Sequence, residues 1–176
     1  MKYILVILLS LSIMMADGFT LKSNDLGGQL SKAQEFNSFG CNGNNISPAL
    51  SWSNAPKGTK SFAVSIYDPD APTGSGWWHW QVVNIPMSVS SLASDASAKH
   101  TLPKGALEIV NDYGTVGFGG ACPPIGDKAH QYIITVYALD VETLSVESTT
   151  NAPIVGYQMN GHTLAKASLV AYYGRD

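Results

Sequence analysis

The sequence predicts a mainly β protein of sandwich or barrel type. Three observations carry this expectation. Apolar residues alternate with period two in several short segments, clusters of Gly, Pro and Asn separate those segments, and apolar spacing of helical type is scarce. No internal repeat or low-complexity tract breaks the pattern.

The elements are taken in chain order. Lys2 is followed by an uncharged apolar run, Tyr3 to Met15, and then by Ala16-Asp17-Gly18. A positive start, a short apolar stretch and small residues form a secretory signal peptide, with cleavage expected after Gly18. The run is shorter than the roughly 20 residues a membrane span needs; an uncleaved N-terminal anchor is the alternative. Residues 1–18 are thus expected to be a leader and residues 19–176 one domain, periplasmic or secreted. Weak strands are expected over Phe19–Ser23 and Pro48–Trp52. Ser61–Asp68 is a strong one, with Phe62, Val64 and Ile66 on one face and Ala63, Ser65 and Tyr67 on the other. Trp78–Ile85 and Gln131–Leu139 follow, rich in β-branched and aromatic residues. A long polar connection covers Ser88–Gly105. Pro153–Asn160 is expected to be a short helix capped by Asn151 and stopped by Gly161. Ser168–Tyr173 closes the chain as a weak strand.

Composition excludes some functions. The chain has 176 residues, a net charge of −3 and only 10 Lys and Arg, none of them clustered. A nucleic-acid footprint needs a basic stripe, so none is expected. Two cysteines, Cys41 and Cys122, are an even count outside the cytoplasm and point to a bridge, against two unpaired buried thiols.

Two stretches carry chemistry. Asp68-Pro69-Asp70-Ala71-Pro72 ends a strand in a loop that two prolines stiffen; Gly74 and Gly76 then permit a reversal into Trp77-Trp78-His79-Trp80. The second stretch repeats the plan. Gly117 to Pro124 is a Gly/Pro loop, and His130-Gln131-Tyr132 opens the next strand. His130 and Tyr132 share one face. Imidazole N–H and phenol O–H groups suit an anion, and Asp68 would fix a tautomer by accepting from a histidine. Backbone N–H groups of the Gly-rich loop are expected to add donors. The tryptophans are mainly core residues, with at most one at the site. His100 and His162 lie in polar surroundings and carry no assigned role. The loop lacks the ending of a P-loop, no Gly-x-Ser-x-Gly elbow is present, and a metal triad from distant histidines is a weak signal.

These stretches resemble the signatures of the phosphatidylethanolamine-binding protein (PEBP) family, also called Raf kinase inhibitor-like proteins, and most closely its bacterial YbhB/YbcL branch. The likeness lies in Asp68 to Pro72 with Trp78-His79, in Pro123-Pro124 with His130 and Tyr132, and in Asn45-Ile46-Ser47-Pro48 with Leu50 and Trp52. It implies an antiparallel two-sheet β fold with a few short peripheral helices. It also implies a pocket for phosphate-like anions and phospholipid head groups, lined by Asp68, His79, Pro124, His130 and Tyr132, with Asp70 beside them. Relatives suggest a homodimer. Gln131 departs from the basic residue many relatives carry, which makes the pocket mouth less positive, and Cys122 replaces a glycine.

The expected function is therefore a non-catalytic binding protein without cofactor or metal. A secreted interaction protein, such as a protease inhibitor or a modulator of a host or envelope protein, is the alternative. A hydrolase or metal enzyme built on Asp68, His79 and His130 is a third, disfavoured because no activated nucleophile is apparent.

Overall fold

The computed structural model describes residues 18–176, so all but the last residue of the expected leader lies outside the described residues. Two antiparallel sheets form. The smaller has the order β1 (Thr20–Lys22), β2 (Leu50–Ser53) and β5 (Ser91–Leu92). The larger has the order β6 (Leu107–Glu108), β4 (Trp77–Pro86), β3 (Ser61–Asp68), β7 (His130–Leu139) and β8 (Thr163–Tyr173).

Alternation explains the packing. Leu50, Trp52 and Leu92 of the smaller sheet meet Phe62, Val64, Ile66, Trp80, Val82, Tyr132, Ile134 and Val136 of the larger one in the main core. The opposite face of the larger sheet is also covered. There Ala63, Val83, Tyr137 and Leu139 pack against Ile109, Leu144 and the helix residues Val155 and Met159. Central β3 is therefore buried at every position except Tyr67. Its polar Ser65 is tolerated because the hydroxyl pairs with Tyr137 at 3.2 Å.

The β3–β4 ladder slips at two places. Ile66 pairs with Trp80 but Tyr67 pairs with Trp78, leaving His79 as the extra residue of a bulge. A second slip, between the pairs Phe62–Ile85 and Val64–Val82, contains Asn84 at φ 58°. Bulges bend a strand and re-aim its side chains, and the first of these aims a histidine.

The structure extends some expected elements and corrects others. Strand β8 begins at Thr163, not Ser168. It is an edge strand, and its early residues are exposed or half-buried, so Ala165 and Lys166 give no strand signal. Helix α1 spans Ala152–Gly161, with the Asn151 side chain accepting from the Ile154 N–H as expected. Gly161 is not the stop. It is the last helical residue, and His162 caps the helix at φ −117° by donating its N–H to the Met159 carbonyl. Strands β5 and β6 each have two residues, too few to show a period. Cys41 and Cys122 form the disulfide, with Cα atoms 5.9 Å apart across a sequence separation of 81. Closing such a loop is worth up to roughly 4.5 kcal/mol in the chain-entropy picture.

Candidate functional site

A pocket of about 280 Å³ opens where β3 ends and β7 begins. Five of the six residues singled out from the sequence line it: Asp68, His79, Pro124, His130 and Tyr132.

Asp68 is the last residue of β3 and is buried. One carboxylate oxygen accepts from the N–H groups of Asp70 (2.8 Å) and Ala71 (3.1 Å), a turn typical of Asp before a chain reversal. The other accepts from His130 Nδ1 at 2.8 Å. The carboxylate thus ends the strand and holds the first residue of β7. Tyr132 follows two residues later on the same face, 1 % exposed.

His79 is held differently. Its backbone carbonyl accepts from the Gly119 N–H at 2.9 Å, and its Nδ1 lies 2.7 Å from the Gly119 carbonyl. A carbonyl only accepts, so Nδ1 carries the proton and a neutral ring keeps its lone pair on Nε2. Burial pulls the His79 pKa down from 6.5 to about 4, outweighing the Gly119 carbonyl and the Asp68 charge, which favour the protonated ring.

The Gly-rich loop does not play the expected part. Its N–H groups are engaged inside the protein. Gly117 donates to Ile109, Phe118 to the Ser97 hydroxyl, Gly119 to His79, Gly120 to the Asn45 side chain and Ala121 to Gln34. The glycines serve close approach instead. A Cβ on Gly119 would strike the Tyr113 ring, and one on Gly120 would strike the backbone of residues 34–36. The loop thereby brings the Gly119 carbonyl against His79.

Asp70, grouped with the ligand-binding residues from the sequence, does not line the pocket. Its carboxylate accepts from the Gln131 N–H at 2.8 Å and from Lys128 Nζ at 3.2 Å, so it braces the start of β7. The Gln131 N–H holds the Asp70 carboxyl below its ordinary value.

Sequence reasoning missed several lining residues, Phe39, Tyr113 and Arg175, while Trp77 is the one tryptophan at the site that it allowed. Arg175 brings a cation to a mouth expected to be less positive. Its Nε donates to the Pro123 carbonyl at 2.7 Å and its Nη1 to that of Gly40 at 2.9 Å. The pairing of His130 with Tyr173 is what carries Arg175 there, a relation visible only once β7 and β8 are paired. Phe39 and Trp77 each pack edge-on against Tyr113, at 5.2 and 5.1 Å between ring centroids.

Among the described residues, His79 Nε2, Tyr132 Oη and Trp77 Nε1 are buried polar atoms without a hydrogen-bond partner. Buried polar atoms are nearly always paired, and one left alone costs about 1–3 kcal/mol. All three belong to residues that line the pocket. Two other lining side chains are engaged within the protein. Thr73 donates its hydroxyl to the Gly76 carbonyl at 2.6 Å, and Cys122 is in the disulfide. Among the described residues no group of three or more His, Cys, Asp or Glu side chains is arranged to hold a metal ion.

Comparison with known proteins gives a consistent picture. The family model described as phosphatidylethanolamine-binding protein matches residues 22–174. The UPF0098 protein YbcL of Escherichia coli is 51% identical over 162 residues, which is 90% of this chain and 88% of that protein. YbhB of the same organism is 47% identical over 156 residues, covering 87% of this chain and 98% of YbhB. The crystal structure of E. coli YbcL, described as a new member of the mammalian PEBP family, matches with a TM-score of 0.87 and 50% identity, over 90% of this chain and 99% of that one. A putative PEBP homolog from Chlamydia trachomatis matches with a TM-score of 0.74 and 34% identity, over 90% and 98% of the two chains.

Proposed function

The chain belongs to the phosphatidylethanolamine-binding protein family, and from that premise we propose that it is a non-catalytic binding protein whose pocket takes a phosphate or a phospholipid head group. The observation that carries this reading is the pair of unpartnered donors at the pocket, Trp77 Nε1 and Tyr132 Oη. An indole N–H can only donate. Burial pushes the Tyr132 pKa well up, with the Asp68 charge adding to it, so the phenol stays a neutral donor. Arg175 supplies positive charge on the same wall. Asp68 opposes an anion little, because three donors already face its carboxylate. The small volume suits a head group rather than acyl chains.

The test is an NMR titration of the four imidazoles with methyl phosphate. Saturable shifts at His79 and His130, with His100 and His162 unmoved, are expected. No shift at the first two, or equal shifts at all four, rejects the reading. The apolar run Tyr3–Met15 and the disulfide support a periplasmic or secreted location, and the likeness to bacterial relatives supports a homodimer. Native mass spectrometry of protein recovered from its own compartment reads leader removal and subunit count together.

A further inference from the structure

We propose that the guest must bring a hydrogen-bond donor to His79 Nε2, so that among phosphates the pocket takes the protonated monoester or inorganic form and discriminates against sulfate and phosphodiesters. This rests on the anion-binding reading and narrows its ligand class.

The argument starts from a fixed ring. Two hydrogen bonds to Gly119, one from the ring and one to the backbone carbonyl, lock His79 at the β4 bulge. Turning the ring over would break the Nδ1 contact with the carbonyl. Nδ1–H therefore faces Gly119, which lies outside the main pocket's lining. Nε2 of this pocket-lining residue is left buried, without a partner among the described residues. It is an acceptor there. A second acceptor, such as a bare anion oxygen, meets it lone pair to lone pair. A P–O–H group meets it as a donor.

The neighbours do not supply the missing proton. The ring lies edge-on to Tyr132 of β7, at 5.2 Å between centroids, and to Tyr113 of the loop after β6, at 5.7 Å. Tyr113 gives its hydroxyl hydrogen to the Gly120 carbonyl. Burial disfavours a charged His79 ring and His130 of β7 adds to that effect; together they outweigh Asp68 of β3, which favours the charge. Arg175 lines the same pocket, but its Nε and Nη1 donate to the Pro123 and Gly40 carbonyls and it is no partner of Nε2. An anion without a proton thus binds only if the ring itself takes one up, against the burial that keeps it neutral.

Chemistry then sorts the candidates. Sulfate carries no proton near neutral pH. A phosphodiester, which is the form of phosphate in an intact phospholipid head group, has no P–O–H at any such pH. A phosphomonoester keeps one until its second ionisation, at about pH 6.

Calorimetry on the full folded protein with methyl phosphate, dimethyl phosphate and sulfate, at about pH 6 and about pH 8, spans that ionisation. At the lower pH methyl phosphate should bind roughly tenfold or more tightly than either other anion, the scale of a mispaired buried acceptor. Its affinity should fall toward the higher pH as its own proton leaves. Dimethyl phosphate or sulfate binding within about twofold of methyl phosphate, a smaller gap than that mispairing would leave, overturns the inference and leaves anion binding intact. Failure of all three to bind overturns both.

Discussion

His130 and His79 stand at one pocket, each delivered by a Gly/Pro loop to a strand, yet their rings are tethered to opposite kinds of partner. His130 gives its Nδ1 hydrogen to a buried carboxylate, and His79 gives its own to a neutral backbone carbonyl. The first arrangement joins the ends of β3 and β7 through two side chains. The second ties a bulge in β4 to a glycine loop that only close packing allows. The same residue in the same kind of place therefore has different duties, and the tether, not the residue type, decides which.

The contrast is sharpest under mutation. Asp68→Asn puts an amide where His130 needs an acceptor and strips a buried site of its charge. Losing a buried hydrogen bond to a charged acceptor costs about 1.5–3 kcal/mol, so a clear fall in the urea midpoint is expected. A fall under about 1 kcal/mol, the scale of an exposed pair, would show that the pair does not hold β7.

The His79 side is read by acid. Its folded pKa of about 4 lies below the ordinary 6.5. Above the ordinary value neither folded nor unfolded chain protonates it. As pH falls from 6.5 to about 4 the unfolded chain gains a proton and the folded one does not. The His79 contribution to stability should therefore drop by about 3 kcal/mol across that window. Asp70 and Glu35, held below their ordinary 3.8 and 4.5, add losses of their own only below about pH 5, so the fall between pH 6.5 and about 5 is the part that reads His79. Urea midpoints that stay flat between those pH values would contradict a buried neutral His79.

A smaller effect separates brace from pocket. Asp70→Ala removes an acceptor for the Gln131 N–H and should cost about 1 kcal/mol. Methyl phosphate affinity should stay within about twofold, because the hydrogen bond lost is not one made to the guest. A tenfold loss of affinity would return Asp70 to the site.

Much of this was legible in the sequence, and for a physical reason. β3, β4 and β7 are long enough to show period two, and the two histidines sit at or near strand starts that Gly and Pro announce. What stayed hidden depends on pairing between distant segments. The bulge at His79 is a mismatch of register between two strands, invisible in either one. Arg175 and Phe39 reach the pocket from opposite ends of the chain. The Gly-rich loop looked like a set of free donors because its acceptors, among them Ile109, Gln34 and Asn45, come from elsewhere.

The most direct measurement takes Tyr132→Phe. The substitution deletes one hydroxyl, which has no hydrogen-bond partner among the described residues, and leaves the ring in the core. Folding should become about 1 kcal/mol more favourable, since a buried unpaired group is removed. Methyl phosphate affinity should fall roughly tenfold or more, since a hydrogen bond to a charged guest is lost. Stability and affinity moving in opposite directions is the predicted result; unchanged affinity in the stabilised variant would contradict a phosphate seated on Tyr132.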